Sequence, residues 1–306
     1  MIKVKQFIAV LTVLLFVACN NASSNKDQSI ETTTKGTIHI SIDESYKPVI
    51  EAQIQVFHSS HPDAHIIVSY KPEVECFKDL QHDSTRMVIV AKGLTKNEVN
   101  YYENKLFFQP QFAILAYDAV AVIVNIHAKD SIYTIAQVKE ILNGKNNRMA
   151  VMDGKNATSS VRYLQDSVLH GVAFGKNVVA ANGSDAVIEA VKRNENAIGF
   201  VGLSWVGNVY EPKQKEDLKE IRLALIECVK CIEKDIFAKP SQATITFGQY
   251  PLARPLFYIL KENAAELGSG FVNFMSLERG QLIFRRAGIA PAKMNFLKRQ
   301  SNIKEE

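Results

Sequence analysis

Short apolar segments recur along this chain, and stretches with helical spacing separate them. In "TIHISI", the residues Ile38, Ile40 and Ile42 fall on one face, as they do in a half-buried strand. The run "AVAVIVN" from Ala119 is continuously apolar, which is typical of a strand buried on both faces. Further strands are predicted at "HIIVSY", "MVIVA", "MAVM", "NVVA", "AIGFVG" and "LFYIL". Strands that alternate with helices in this way predict an α/β fold with largely parallel sheets.

The predicted helices begin at recognisable residues. Pro48 opens an apolar helix after the first strand, near the first turn, where proline is favoured. The segment "TIAQVKEILNG" carries a capping box, formed by Thr134 and Gln137, and a glycine just after the helix. Another helix is expected to begin near Val161, and a further one at Ser184, which we predict to be its N-cap.

The first 18 residues predict an export signal. "MIKVK" is a short basic region, and "FIAVLTVLLFVA" is an apolar run of 12 residues, too short to cross a bilayer comfortably. "FVAC" resembles the lipobox of bacterial lipoproteins, in which Cys19 becomes the lipidated first residue; an ordinary secretory signal cut nearby is the alternative. Residues 19–36 are polar and predict a flexible tether. We therefore expect an exported, membrane-anchored lipoprotein that faces the periplasm of a bacterial cell envelope.

Composition and charge narrow the class of protein. The chain has 306 residues, 47% of them hydrophobic, which is enough for one large domain or for two lobes of ordinary size. Its formal net charge of +4 includes two lysines of the export signal. The positive net charge of the rest of the chain is too small to indicate a nucleic-acid-binding protein. The sequence contains no Walker loop, GxSxG elbow, GxGxxG or HExxH motif. We expect no enzyme activity, no cofactor and no metal site; a hydrolase with a dispersed catalytic triad is the remotest alternative.

The cysteines favour a structural role. If Cys19 carries lipid, Cys76, Cys228 and Cys231 remain. The last two have the CxxC spacing of redox and zinc motifs, but neither a second pair nor a downstream histidine completes four zinc ligands. We interpret them as a structural disulfide or as buried thiols, with a thiol oxidoreductase as the alternative. The sequence leaves open whether Cys76 pairs with either of them.

The stretch from Asn156 to Arg162 combines several features of an anion-binding site. The polar side chains of Asn156, Thr158, Ser159 and Ser160 stand where a helix is predicted to begin, and Arg162 lies in its first turn. A helix N-terminus presents unpaired N–H groups and the positive end of the helix dipole. Hydroxyls add further donors, and an arginine offers a bidentate fork to an oxyanion. Ordinary N-capping explains one of these hydroxyls but not the whole group.

Two other helix starts offer groups of the same kind: "DESYK", and "ANGSDAVIEAV", in which Ser184 follows Gly183 and simple capping is the alternative interpretation. "DESYK", after the first strand, contributes Ser45 and Tyr46 as candidate donors. The neighbouring Asp43 and Glu44 would repel an anion unless that anion carries a proton. Lys92, at the end of "MVIVA", is the remaining candidate cation, and a solvated surface lysine is its alternative interpretation.

Several segments resemble one family. "PSQATITFGQYPLARPLFYIL" and "GFVNFMSLERGQLIFRRAGIAP" are similar to the tail of the phosphate-binding receptors of bacterial phosphate ABC importers, in the class II periplasmic-binding-protein superfamily. "VKEILNGK" resembles that family's Ile-Phe/Leu-x-Gly helix, and "AIGFVGLSW" resembles its Ala-Ile-Gly-Tyr strand. "NATSSVRYL" occupies the place of the family's Ser-Gly-Thr loop, which grips phosphate at a helix N-terminus. The similarity runs from about residue 36 to residue 291.

The chain also departs from the family's pattern. The arginine that precedes the family's loop is absent from "AVMDGK", which has Asp153 there, and Arg162 is the candidate replacement. The glycines of the family's second loop are absent from "YKPEVE". The family aspartate that accepts the proton of hydrogen phosphate falls near Lys92, so Asp43 or Glu44 is the expected proton acceptor. These departures are typical of a divergent lipoprotein branch.

The resemblance implies a two-lobed α/β fold in which helices flank a mixed, mostly parallel sheet in each lobe. Lobe 1 would comprise residues 37–117 and 247–296, lobe 2 residues 118–246, and a tail residues 297–306. A two-segment hinge is expected near "PQFAILAYDAV" and "GQYPLARPL".

The resemblance also implies a function. It implies the capture of a small oxyanion, phosphate above others, between the lobes of a monomer, and a permease and an ATPase that recognise the closed form. One alternative is a drifted lipoprotein of the same fold that acts as a sensor or scaffold for another ligand or for a partner protein.

Overall fold

The computed structural model describes residues 31–154 and 158–293. The export signal 1–18, the lipidation of Cys19, most of the tether 19–36, Asn156 and the tail 297–306 lie outside the described residues. Within the described part, none of the helices combines the length and the apolar character that crossing a membrane requires.

The elements follow one another in an alternating order. The strands are β1 (Gly36–Asp43), β2 (Ala64–Lys71), β3 (Thr85–Val90), β4 (Gln111–Asn125), β5 (Ile132–Tyr133), β6 (Met149–Met152), β7 (Val178–Ala180), β8 (Ala197–Gly202), β9 (Ile221–Leu223), β10 (Leu225–Glu227), β11 (Phe237–Ala238), β12 (Ala253–Leu260) and β13 (Ala290–Pro291). The helices are α1 (Lys47–Ser60), α2 (Glu73–Leu80), α3 (Lys96–Leu106), α4 (Ile135–Leu142), α5 (Ser159–Ser167), α6 (Ser184–Arg193), α7 (Pro212–Asp217), α8 (Gln242–Thr246), α9 (Leu267–Ser276) and α10 (Glu278–Arg286). Short 3₁₀ helices, Glu44–Tyr46 and Leu203–Trp205, directly follow β1 and β8.

The main sheet has two halves that share one long strand. Its strand order is β2-β1-β3-β12-β4-β8-β6-β7. The pairings β1–β2, β1–β3, β6–β7 and β6–β8 are parallel, whereas β12 and β8 both run antiparallel to β4. Residues 111–119 of β4 pair with β12, and residues 120–124 pair with β8. We call the half with β1, β2, β3 and β12 the first lobe, and the half with β6, β7, β8 and β9 the second lobe.

Most predicted elements are confirmed with small shifts. "MAVM" and "AIGFVG" coincide with β6 and β8. The strand predicted as "AVAVIVN" is longer than expected, because residues 111–118 also pair with β12. Thr134 and Gln137 form the predicted capping box. Helix α5 begins slightly earlier than predicted, at Ser159, with Thr158 as its N-cap.

Each lobe buries an apolar core of its own. Residues 120–124 of β4 are fully buried in the second lobe, as expected for a strand covered on both faces. In the first lobe, Ile38, Ile40 and Ile42 are at most 1% exposed and belong to the same core as Phe57 of α1. Burying such a side chain contributes about 1.5–3 kcal/mol. The alternating pattern therefore decides which face of β1 points inward.

The lobes are joined where β4 and β12 run side by side. Just before β12, the Tyr250 hydroxyl donates to the carbonyl of Val120 at 2.9 Å. From the second lobe, the Tyr163 hydroxyl of α5 donates to the carbonyl of Ala253 at 2.9 Å. The predicted hinge segments, residues 110–120 and 248–256, overlap these two strands. Their action as a hinge and the lobe boundaries at 117/118 and 246/247 remain predictions.

The cysteines of the described part are in two different states. Cys228 and Cys231 form a disulfide with 5.5 Å between their Cα atoms, as the structural interpretation predicts. Cys76 is a free and fully buried thiol. Burial raises the pKa of this thiol well above its usual value, so that it stays protonated.

Candidate functional site

Polar groups from three elements converge where the lobes meet. β1 ends at Asp43 and continues into the 3₁₀ helix that carries Ser45. β6 is followed by α5, whose first residues are Ser159 and Ser160. The third element, β12, contributes Arg254. In α/β sheets ligands bind beyond the carboxyl ends of the strands, so a binding site is expected at this place.

Three serine hydroxyls lie at the centre of this region. The Oγ atom of Ser45 is 3.4 Å from the Oγ atoms of both Ser159 and Ser160. Each of these residues is at most 1% exposed. We call Ser45, Ser159 and Ser160 the hydroxyl cluster. Because Ser45 comes from the first lobe and the other two from the second, the hydroxyl cluster joins the lobes.

Arg254 brings a buried cation to the hydroxyl cluster. Its Nη1 donates to Ser159 Oγ at 2.9 Å and lies 3.4 Å from Ser160 Oγ. Its Nη2 donates to Asp118 Oδ2 at 3.1 Å, and both side chains of this ion pair are fully buried. The ring of Tyr46 covers another side, with its centroid 5.3 Å from the guanidinium carbon. A guanidinium held in this way can donate to an oxyanion without reorientation.

Two aspartates border the hydroxyl cluster. Asp43 accepts from the backbone N–H of Ser45 at 2.8 Å and, across the cleft, from the N–H of Ser159 at 3.2 Å. Its carboxylate therefore lies at the N-terminus of α5, where a bound anion is expected. On the other side, Asp153 accepts from the Thr158 hydroxyl at 2.7 Å and lies 3.4 Å from Ser45 Oγ.

The acidic groups of this region hold protons more tightly than usual. Burial and, next, the nearby Glu73 carboxylate raise the pKa of Asp43 to about 6. Burial raises the pKa of Glu44 to about 7, against the opposing effect of hydrogen bonds from Ser184. Burial also raises the pKa of Asp153. Asp43 and Glu44 can therefore exchange protons near neutral pH.

Glu44 reaches the N-terminus of α6. Its Oε1 accepts from the Ser184 N–H at 3.1 Å, and its Oε2 accepts from the Ser184 hydroxyl at 2.9 Å. The prediction that Ser184 is the N-cap is wrong by one residue, because Gly183 is the N-cap and Ser184 the first helical residue. Gly183 has a φ of +86°, which favours glycine, and a Cβ there would lie 3.2 Å from Glu44 Oε1.

Arg162, predicted to grip an oxyanion, is bound by Glu73 at the start of α2. Its Nε donates to Glu73 Oε2 at 2.5 Å, and its Nη2 donates to Oε1 at 3.1 Å. Glu73 is only 2% exposed and also accepts from the N–H of Ala91 at 2.9 Å. The guanidinium of Arg162 is thus engaged by a carboxylate of the protein itself.

The other predicted ligands are placed in different surroundings. The ammonium of Lys92 lies 3.7 Å from a carboxylate oxygen of Glu98 and 5.8 Å from the centroid of the Phe77 ring. Tyr46 is fully buried, and its hydroxyl has no hydrogen-bond partner among residues 31–154 and 158–293. Asn156 lies outside the described residues. The structure therefore brings Ser45 together with the serines of α5, and it places Lys92 beside Glu98.

Sequence reasoning missed Arg254, Asp118 and Glu73 as residues of this region. A signal was available for the first two, since each is a lone charge inside an otherwise apolar strand. A buried charge requires a partner of opposite sign, so the two strands could have been matched through these residues. Glu73 gives no such signal, because an acidic residue in the first turn of a helix is ordinary.

Gly202, at the end of β8, allows the backbone of Ser45 to approach. A Cβ at this position would lie 2.7 Å from the carbonyl oxygen of Ser45 and 3.4 Å from Arg254 Nη2. We expect Gly202→Ala to lower the free energy of unfolding by about 1–3 kcal/mol, because the backbone of the 3₁₀ helix has to move. Urea denaturation measures the change. A variant as stable as the wild type would contradict this close approach.

Comparison with known proteins identifies relatives of this chain. A family model described as a PBP superfamily domain matches residues 27–278. A curated relative from Staphylococcus saprophyticus, named phosphate-binding protein PstS, is 24% identical over 276 residues, which cover 84% of this chain and 81% of that relative. A relative of the same name from Staphylococcus epidermidis is 22% identical over 311 residues, with 95% of this chain and 90% of the relative covered.

A solved structure shares the architecture. It comes from Clostridium perfringens, is assigned as a phosphate ABC transporter substrate-binding protein with bound phosphate, and matches with a TM-score of 0.68 at 21% identity. The match covers 84% of this chain and 100% of that one. At this level of identity the likeness concerns the fold, and the predicted two-lobed α/β architecture is confirmed.

Proposed function

Because this chain belongs to the periplasmic-binding-protein (PBP) superfamily, we propose that it is a receptor that captures phosphate between its two lobes. The observation that carries the proposal is the hydroxyl cluster, in which buried hydroxyls from both lobes meet Arg254 at the N-terminus of α5. Hydroxyls, helix N–H groups and a guanidinium are the donors that a small oxyanion requires. The relatives named phosphate-binding protein PstS support phosphate as that oxyanion.

Phosphate would replace contacts that the site now makes internally. The hydroxyls are only 3.4 Å apart and are buried, so the lobes have to separate to admit an anion and then close over it. The Ser159 N–H, which now binds Asp43, is the helix amide that the anion would share. In the closed site these bonds are charge-assisted and about twice as strong as bonds between neutral groups.

Asp43 is our proposed proton acceptor for hydrogen phosphate. It lies at the N-terminus of α5, whereas Glu44, the other candidate, is bound to Ser184. With a pKa of about 6, Asp43 is mostly ionised at neutral pH and can accept the proton that hydrogen phosphate carries. Sulfate has no such proton to offer at this pH. Arg162 and Lys92 have carboxylate partners of their own, and we assign them no direct contact with the anion.

We further propose that the receptor is a lipoprotein, anchored through Cys19, that delivers phosphate to the permease and ATPase of an ABC importer. The basic and apolar pattern of residues 1–18 and the lipobox-like "FVAC" support the anchor. Incorporation of a labelled fatty acid into the wild-type chain, but not into a Cys19→Ala chain, would test it. Genes for a permease and an ATPase beside the gene of this chain would support the importer.

Calorimetric titration of the purified protein with phosphate, sulfate and molybdate tests the receptor function. Binding of phosphate alone is the expected result, because only phosphate brings a proton to Asp43 at neutral pH. Binding of sulfate with the same affinity as phosphate would contradict the proposed role of Asp43 as proton acceptor. No binding of any of the three oxyanions would favour the sensor or scaffold alternative.

Ser160→Ala is expected to weaken phosphate binding by about tenfold or more. A hydrogen bond to a charged group contributes about 1.5–3 kcal/mol, and every 1.4 kcal/mol corresponds to a factor of ten. Ser59→Ala is the matched control, since Ser59 is exposed at the end of α1 and its hydroxyl donates to the Val56 carbonyl of the same helix. Calorimetry with both variants measures the difference, and unchanged affinity in Ser160→Ala would place this hydroxyl outside the site.

A further inference from the structure

Two carboxylates of the first lobe bind groups of the second lobe. They belong to Glu44, which binds the N-terminus of α6, and to Glu73, which binds Arg162 of α5. We propose that these two contacts form a latch that closes the cleft without any bound anion. The inference goes beyond phosphate binding, because the latch consists of the protein's own groups and is independent of the ligand.

The contact of Glu44 completes a helix terminus that has no cap of its own. The N-cap residue of α6 is Gly183, whose lack of a side chain leaves the first N–H groups of the helix without a side-chain acceptor. Glu44 supplies an acceptor from the other lobe, because its Oε1 accepts from the Ser184 N–H, while its Oε2 accepts from the Ser184 hydroxyl. A carboxylate at this end of a helix is also favoured by the helix dipole. Opening of the cleft would leave this terminus uncapped.

A backbone hydrogen bond within the first lobe holds the Glu73 carboxylate in place, independently of Arg162. Glu73 is 2% exposed, and its Oε1 accepts from the N–H of Ala91 just beyond β3. Arg162 then donates to both carboxylate oxygens, in the two-pronged geometry that suits a guanidinium and a carboxylate. Opening of the cleft would take the arginine away and leave Glu73 without its cation. Removal of one partner of a buried pair is strongly unfavourable.

The two contacts also explain why neither of these groups is offered to a ligand. A helix N-terminus and an arginine are the groups that usually bind an anion, and here each already holds an internal carboxylate. The hydroxyl cluster and Arg254 offer hydroxyl and guanidinium donors to an external anion. Closure and anion binding therefore use different residues and can be measured separately.

Small-angle X-ray scattering tests the latch on the wild-type chain. The protein is unfolded in urea and refolded in buffer without phosphate or sulfate, which removes any anion retained during purification. We expect the same radius of gyration before and after phosphate is added. A larger radius that shrinks on addition of phosphate would overturn the proposal.

The double variant Glu44→Gln with Glu73→Gln tests the residues of the latch. In anion-free buffer we expect a larger radius of gyration and about tenfold faster hydrogen exchange of the Ser184 amide. Glu51→Gln with Glu75→Gln is the matched control, because both carboxylates are about half exposed and lie on α1 and α2. Unchanged radius and exchange in the latch variant would overturn the assignment.

A separate readout guards against loss of folding. Circular dichroism establishes whether the double variant is folded. If it is not folded, Arg162→Gln removes the contact between Arg162 and Glu73 by changing the arginine, which is the more exposed of the two side chains. The same opening is expected for that variant, and a closed Arg162→Gln chain would overturn the role of the pair. Because the latch variants are compared with the wild type in anion-free buffer, the outcome of that comparison is independent of whether the receptor function is correct.

Discussion

Replacing Arg254 by glutamine is expected to abolish phosphate binding and to lower the free energy of unfolding by about 3–5 kcal/mol. Binding is lost because Arg254 is the cation that donates to the hydroxyl cluster, with its Nη1 2.9 Å from Ser159 Oγ. Stability is lost because Asp118 stays fully buried without its partner. Calorimetry with phosphate measures the first effect, and urea denaturation measures the second.

A second substitution separates these two effects. In the chain with both Arg254→Gln and Asp118→Asn, the carboxylate of the ion pair is removed together with its cation, and most of the stability should return. Phosphate binding should stay lost, because the guanidinium is still missing. Arg193→Gln, at a side chain that is 80% exposed, is the matched control and should change neither quantity. Phosphate binding at wild-type affinity by a folded Arg254→Gln chain would exclude Arg254 from the site.

Local patterns in the sequence were sufficient to predict most elements of the fold. The alternating isoleucines of β1 and the capping box of α4 depend on residues that are close together in the chain, and both are confirmed. The polar start of α5 was recognised for the same reason, since N-terminal hydroxyls act on the helix they precede. Such features require no knowledge of what lies across the cleft.

The contacts across the cleft could not be predicted in this way. The pattern shows that Arg162 can bind an anion, but the anion it meets is Glu73, 89 positions earlier in the chain. The same holds for Ser184, whose N–H and hydroxyl donate to Glu44, a residue 140 positions earlier in the chain. A motif specifies the chemistry that a group offers, whereas its partner depends on how the two lobes are folded together.

The composition of the cleft has a consequence for any anion that binds there. Carboxyl groups outnumber guanidinium groups in this region. The carboxyl groups belong to Asp43, Glu44, Glu73, Asp118 and Asp153, and the guanidinium groups belong to Arg162 and Arg254. An anion that enters adds negative charge to this excess, unless it brings protons or a carboxyl group takes one up. Binding of a protonated oxyanion is therefore favoured over binding of a fully ionised one. The protonation of Asp43 is the part of this balance that can be measured without a ligand.

Relative to an Asp43→Asn variant, the wild-type chain is expected to lose stability as the pH rises from about 4 to about 7. Burial and the Glu73 carboxylate raise the pKa of Asp43 from 3.8 to about 6, with Arg254 opposing and Asp153 adding to the shift. In this range the folded chain keeps a proton that the unfolded chain has released. The stabilisation is complete below pH 3.8 and is lost as the pH passes about 6. At about 1.4 kcal/mol per pH unit, it amounts to about 3 kcal/mol.

The difference between the two chains isolates Asp43 from the other acidic groups. Although burial acts in the other direction, hydrogen bonds from Lys71 and Ser41 hold the pKa of Asp79 below its usual value, and its contribution is lost in acid equally in both chains. Urea denaturation across this pH range should show the Asp43→Asn variant gaining about 3 kcal/mol on the wild type. Glu51→Gln, at an exposed carboxylate, should show no such trend. A constant difference between wild type and Asp43→Asn would mean that Asp43 titrates as it does in water, which would contradict the burial of this carboxyl group at the N-terminus of α5.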